Sequence, residues 1–235
     1  MWQSLGRDKK TQKSINLDFQ SNLEEVKEII ITHEDQIVKN YLSKANKSEK
    51  EFWATFFKNK EFDFPLNMHI MKFIIHNKKN IELVFKYLNF RFLFNEVSEK
   101  KIVTEYPPYL LIEPVSTCNL KCPFCFQTDG SFTKKPYMGV MDLSLFKKII
   151  DEANEIGVGA VTLASRGEPT LHPNLKEMLK YTRTKKNIFE IKLNTNASFL
   201  TEELCYEIFN SKINQVVISA DHYEKTMYEK LRKNA

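Results

Sequence analysis

Beyond residue 106 the chain alternates four times between a short apolar run and a longer amphipathic stretch, and few folds accept that order. The apolar runs 109–115, 160–164, 189–193 and 215–219 are the strand candidates. The stretches 142–156, 173 onward, 201–209 and 224–232 carry apolar residues at helical spacing, as in Leu145, Phe146, Ile149 and Ile150. Asp142 stands where the first helix needs a cap, and Gly157 and Gly159 end it. Pro173 suits the start of the second helix and Thr201 the start of the third. Repeated strand–helix order predicts an α/β fold, with a parallel sheet, helices outside and right-handed crossovers.

The pattern ahead of Tyr106–Pro107–Pro108 is different, because a proline pair favours extended chain and cannot continue a helix. Leu23, Val26, Ile30, Ile37 and Tyr41 recur at roughly helical spacing. Ser48 and Glu51 form a capping-box pattern before Phe52, Trp53, Phe56 and Phe57. Asn80 is placed to cap a helix carrying Val84, Phe85, Leu88 and Phe92. Residues 1–105 hold 15 of the 29 aromatics, and at this spacing such rings pack a core. The expected organisation is a helical region over 1–105, of unread function, and an α/β unit over 106–235.

The 35 basic and 30 acidic residues leave a charge of +5 spread along the chain, which argues against nucleic acid as a partner. No stretch approaches the roughly 20 apolar residues of a membrane span. Residues 1–13 are polar and lack the apolar core of a secretory signal. The expectation is a cytoplasmic protein. Four cysteines, three of them bunched, suit a reducing compartment and a metal or redox role better than a disulfide framework.

A polar cluster follows every predicted strand: the cysteines after the first, Arg166–Gly167–Glu168–Pro169 after the second, Asn194–Thr195–Asn196 after the third, and Ser219 to Asp221 after the fourth. Strand C-terminal ends form the active rim of α/β barrels, so the four clusters are expected to make one site. Cys118, Cys122 and Cys125 supply three soft thiolates within eight residues. A structural zinc site needs four ligands, and an iron–sulfur cube has four corners to cap. Three thiolates leave one position open. Cys205 lies in a helix pattern and reads as a small buried hydrophobe. Of the five histidines only His172 and His222 follow strands, and His172 reads as part of a turn. A structural zinc loop or unligated thiols remain the alternatives.

The spacing Cys118-x-x-x-Cys122-x-x-Cys125, with the aromatic Phe124 before the last cysteine, resembles the signature loop of the radical S-adenosyl-L-methionine (SAM) superfamily. That resemblance implies a [4Fe–4S] cluster held by Cys118, Cys122 and Cys125, with its fourth iron chelated by SAM. It implies reductive cleavage of SAM to methionine and a 5′-deoxyadenosyl radical, which abstracts hydrogen from a substrate. Gly167–Glu168–Pro169 is similar to the family segment that binds the methionine amino group, although many relatives have glycine where this chain has Arg166. Asn194 and Asn196 match a common third-strand ending that braces loops or touches the cofactor. Ser219-x-Asp221 followed by Arg232 resembles the fourth-strand pattern of the peptide- and sulfatase-maturing subgroup. By that likeness Ser219 contacts the SAM ribose and Arg232 lies near its carboxylate; Asp221 reads equally well as a helix cap.

The family core is usually a partial (β/α) barrel of six units, and this sequence shows four. The expectation is therefore a partial radical SAM barrel preceded by a mainly α-helical region, in a fragment of a longer protein or one completed by a second chain. The likeness also implies an unidentified substrate, of peptide or protein type by subgroup, and an electron donor such as flavodoxin or ferredoxin. Sulfur-inserting and methyl-transferring members are the enzymatic runners-up. A non-catalytic iron–sulfur scaffold that kept the cysteine loop is the rival outside enzymes.

Overall fold

The computed structural model describes residues 9–235 apart from Asn46, Asp63, Lys100, Ile102, Phe132 and Lys212; the side chains of 9–17, 44, 48 and 96–98 also lie outside the description. The chain divides into two compact units, Met1–Val103 and Thr104–Ala235.

The first unit is helical: α1 (Lys9–Thr32), α2 (Glu34–Asn40), α3 (Lys47–Asn59), α4 (Met68–His76) and α5 (Ile81–Glu99). Val26, Ile30 and Ile37 are fully buried, and the chain breaks at His33 between the first two helices. Trp53 and Phe56 are also fully buried. The Trp53 ring stacks on Phe85 at 5.0 Å, and its indole N–H donates to Asn89 Oδ1 at 2.5 Å. That bond satisfies the one polar atom of a buried indole. Asn67 caps α4 by accepting from the backbone of His69 and Ile70, and Asn80 caps α5 by accepting from Leu83. The expected cap at Ser48 is displaced: α3 begins one residue earlier, at Lys47, and the Ser48 side chain lies outside the described residues.

The second unit is α/β. Strands β1 (Tyr109–Ile112), β2 (Ala160–Leu163), β3 (Glu190–Thr195) and β4 (Ile213–Ile218) form one parallel sheet in the order β1-β2-β3-β4. Helices α6 (Leu143–Ile156), α7 (Leu175–Arg183) and α8 (Glu202–Asn210) connect them, and α9 (Lys225–Leu231) follows β4. Alternation along each strand sorts the side chains by face. Ile191 and Leu193 join Ile112, Val161 and Leu163 in a core shared with Phe146, Ile150, Leu175, Met178 and Leu179. Lys192 and Asn194 take the opposite face, which lines a cavity.

Several local expectations shift. The first strand stops at Ile112; Val115 instead makes an antiparallel bridge with Val140. Asp142 sits at the N-cap of α6 without a side-chain cap bond, whereas Thr201 does cap α8 through Leu204 N at 3.1 Å. Gly157 ends α6 in the left-handed region at φ 95°, where a side chain would be strained and would meet Tyr106. Asn194 and Thr195 are the last residues of β3, so only Asn196 follows it. Among the described residues no helix is long and apolar enough to cross a membrane.

Candidate metal and cofactor site

The C-terminal ends of the four strands and the loops after them open onto one cavity of about 1230 Å³. Its lining takes Cys118, Cys122, Phe124 and Cys125 from the first, Arg166, Gly167 and Glu168 from the second, Asn194 and Asn196 from the third, and Ser219 from the fourth. Arg232 closes the same wall. Pro169 does not line it; this buried residue opens a 3-10 turn, Pro169–Leu171. The cavity exceeds the 300–1,000 Å³ usual for one small ligand, so it has room for more than one group.

Each thiol has its own surroundings. Cys122 is buried, while Cys118 and Cys125 are partly open, and all three are free of disulfides. Cys118 Sγ accepts from the backbone N–H of Leu120 at 3.4 Å and from the Asn196 amide at 3.8 Å. Burial pushes the Cys118 thiol up, with Glu168 and Cys122 adding repulsion; the Leu120 and Asn196 donors pull it partly back. Cys122 Sγ accepts from Arg232 Nη1 at 3.6 Å. Arg232 also pairs through Nε with Asp221 and lies over the Phe124 ring at 5.4 Å. Burial works against its charge, but Asp221 and Cys122 outweigh it and hold the guanidinium above its ordinary pKa. Asp221 thus serves Arg232; the residue at the α9 N-cap is Glu224.

Glu168 is the knot of the site. It is 3% exposed, and its carboxylate accepts four hydrogen bonds. Oε1 takes the Thr170 N–H, the Thr170 hydroxyl and the Thr195 hydroxyl, and Oε2 takes the Asn196 N–H at 2.7 Å. Its own N–H donates to Thr117 O in the cysteine loop at 2.9 Å. One carboxylate therefore ties together the ends of β2 and β3, and Oε2 keeps acceptor capacity for a further donor. Next to it, a Cβ on Gly167 would stand 1.8 Å from the Val115 carbonyl oxygen. Only glycine lets the second loop lie this close to the first.

Sequence reasoning missed the partner of Arg166. Glu113, the residue after β1, receives Arg166 Nη2 at 2.7 Å and Nε at 3.0 and 3.1 Å, and it also accepts the Arg166 N–H at 3.0 Å. Burial raises the Glu113 carboxyl, yet its hydrogen bonds with Arg166 and Ser165 hold it below the usual carboxylate range. The fork-shaped pair clamps the β1 end to the β2 end. Ser165, one residue earlier, sits at φ 117°, a strained conformation for a non-glycine residue. The only available signal was the opposite charges after consecutive strands, which spacing alone cannot pair. His172 lies outside the site: its Nε2 meets Met141 O at 2.9 Å and its Nδ1 accepts from Asn174 N. Cys205, on α8, does not line the cavity.

The donor set fits an iron–sulfur cube and a polar cofactor. Among the described residues no three His, Cys, Asp or Glu side chains converge as a cage for a single ion; a cube gives each thiolate its own iron and does not need them to. Among the described residues Asn194 Oδ1 is buried without a hydrogen-bond partner, on a residue that lines the cavity, and suits a ligand hydroxyl or amine.

Residues 112–235 match the sequence profile described as the radical SAM superfamily. A tungsten-containing aldehyde ferredoxin oxidoreductase cofactor-modifying protein from Pyrococcus furiosus is 33% identical over 114 residues, 48% of this chain and 30% of that protein. A GTP 3',8-cyclase from Thermodesulfovibrio yellowstonii is 21% identical over 125 residues, 53% of this chain and 38% of that one. The matched segments thus span 30% and 38% of these curated relatives. Among solved structures, Streptococcus suis SuiB aligns over 89% of this chain and 42% of its own, at 18% identity and a TM-score of 0.49. BtrN in complex with AdoMet and 2-DOIA aligns over 52% and 48%, at 23% identity and a TM-score of 0.46.

Proposed function

The chain belongs to the radical SAM superfamily, and from that premise we propose that residues 106–235 carry the cofactor machinery of a hydrogen-abstracting enzyme. Members of the family are enzymes whose cofactors are a [4Fe–4S] cluster and SAM. When bound, these supply reductive cleavage of SAM to methionine and a 5′-deoxyadenosyl radical. The protein's part is to hold, orient and shield them.

The observation that carries the reading is the gathering of three thiols and three further strand-end segments around one cavity. In this proposal Cys118, Cys122 and Cys125 hold three irons. Glu168, through the acceptor capacity left on Oε2, takes the methionine ammonium, with Gly167 keeping the turn close to the cysteine loop. Asn194 Oδ1 accepts from a cofactor donor, and Ser219 lies on the same wall for the ribose. Phe124 and Asn196 border the cluster loop, Asn196 by donating to the Cys118 sulfur. Arg232 is already engaged by Asp221 and Cys122, so its first role here is to position Cys122; a SAM carboxylate would share that guanidinium.

A peptide or protein substrate, a flavodoxin- or ferredoxin-type donor and a cytoplasmic setting complete the proposal. The subgroup likeness of the fourth-strand pattern motivates the first, and the need for one electron per SAM cleavage motivates the second. Anaerobic reconstitution with iron and sulfide tests the core of it. About four irons and four sulfides per chain are expected, with 5′-deoxyadenosine formed on adding SAM and dithionite. A protein that takes up zinc but no cluster would falsify the reading. Cluster loading without 5′-deoxyadenosine would favour the scaffold instead. Exchange of dithionite for reduced flavodoxin or ferredoxin tests the donor: no 5′-deoxyadenosine with either removes that part alone.

A further inference from the structure

The cavity carries more positive charge than its own groups neutralise. Five cationic side chains line it, Lys121, Arg166, Lys192, Arg232 and Lys233, against the single carboxylate of Glu168. Arg166 is neutralised by Glu113 and Arg232 by Asp221. Lys121 and Lys233 are exposed. Lys192 differs from all four. It is half-buried in the middle of β3, on the cavity face, and makes no ion pair or side-chain hydrogen bond among the described residues. An ammonium on the cavity face without a counter-ion keeps its donors free for a ligand oxyanion.

A second donor stands beside it. Thr162 of β2 is the register partner of Lys192 and lines the same cavity. It is 5% exposed, and no protein group among the described residues hydrogen-bonds its hydroxyl. Register partners on adjacent strands lie about 4.8 Å apart, close enough for one oxyanion to receive both donors. Leu111 of β1 continues the row as an apolar wall. This row lies two residues, or about 7 Å along the strand, below Asn194 and further from the cysteine loop.

We propose that Lys192 and Thr162 form an oxyanion subsite on the cavity floor, which takes a carboxylate or phosphate group of the substrate. The inference rests on the radical SAM reading for its use in catalysis, but not for its geometry. SAM held by the cysteine loop and the residues proposed above would take the rim, and the cavity volume leaves the floor for a second molecule. The ammonium gives a charge-assisted bond, and the hydroxyl fixes the orientation of the anion.

The test is calorimetric titration of the cluster-reconstituted chain with inorganic pyrophosphate and with glutarate, in the presence and absence of SAM. At least one probe is expected to bind, and the tighter one identifies phosphate or carboxylate as the preferred source. Lys192→Met should weaken that binding by about tenfold or more, in line with the loss of a charged hydrogen bond. Lys192→Arg should retain it, and SAM affinity should be unchanged in both. Lys192→Gln, which keeps polarity but removes the charge, is measured alongside so that a folding defect in one variant does not decide the outcome. Failure of both probes to bind wild type, equal binding by wild type and the Met and Gln variants, or loss of SAM affinity in those variants overturns the subsite. Wild type that binds an anion but not SAM would instead sink the radical SAM reading and leave the subsite standing.

Discussion

Arg232 donates from Nη1 to the sulfur of Cys122 at 3.6 Å, joining residues 110 positions apart. The same guanidinium pairs with Asp221 and covers the Phe124 ring, so one side chain fixes three features of the cysteine loop's wall. Hydrogen bonds and positive charge at a cluster thiolate stabilise the more reduced state. Arg232→Met is therefore expected to lower the midpoint potential of the reconstituted cluster, and Arg232→Lys to lower it less. Spectroelectrochemical titration reads the shift. An unchanged potential would show that Arg232 turns away once the cluster is in place.

Glu168 predicts a stability effect separate from chemistry. Its buried carboxylate receives four donors from the Thr170, Thr195 and Asn196 positions. Glu168→Gln keeps the shape but aims an N–H₂ group at donors, at a cost of about 2–3 kcal/mol. Thr195→Val removes one of the four, and with it the acceptor of the Ala197 N–H, and should cost about 1–2 kcal/mol. Denaturant midpoints of the apo-protein measure both. Equal and negligible losses would contradict the role of Glu168 as the tie between β2 and β3.

Gly167 leaves no room for a methyl group, because the Val115 carbonyl would be 1.8 Å away and backbone cannot yield as a side chain does. Gly167→Ala should destabilise the second unit by about 1–3 kcal/mol and reduce iron uptake by pushing the cysteine loop outward. Thermal melting and iron content are the two readouts. Full iron uptake at wild-type stability would mean that the loops are not held in this register.

The Glu113–Arg166 clamp should make the protein acid-sensitive in a defined direction. The Glu113 carboxyl is held below its ordinary value in the folded state, so its contribution is complete above the unfolded pKa of about 4.3. That contribution is lost as pH falls through the lower folded value. Wild type should exceed Glu113→Gln in stability near neutrality, and the difference should close below about pH 4.3. Parallel melting curves across pH decide it. A constant gap would assign the effect to hydrogen bonding by either form.

The four β/α units were legible because short apolar runs alternate with stretches of helical spacing, and both report burial. Ile191 and Leu193 against Lys192 and Asn194 show this on one strand. The cysteine loop was legible for another reason: three cysteines within eight residues stay in one loop whatever surrounds it. What could not be read were pairings across large separations. Arg166 with Glu113, Arg232 with Asp221 and Cys122, and the four donors on Glu168 depend on strand register and loop path. Helix starts were also ambiguous. Asp142 and Thr201 are both good cap types, yet only Thr201 turns its oxygen to a helix N–H.

The 110-residue separation of Cys122 and Arg232 also sets an order in time. A ribosome adding about 5–20 residues per second finishes Cys122 roughly 5–20 seconds before Arg232. Within that interval the nascent loop has its thiols first, then gains the Glu168 tie, then the Asn196 amide, and last the Arg232 guanidinium. Newly made chains would therefore expose these sulfurs to oxidants and stray metals before the sheet is complete.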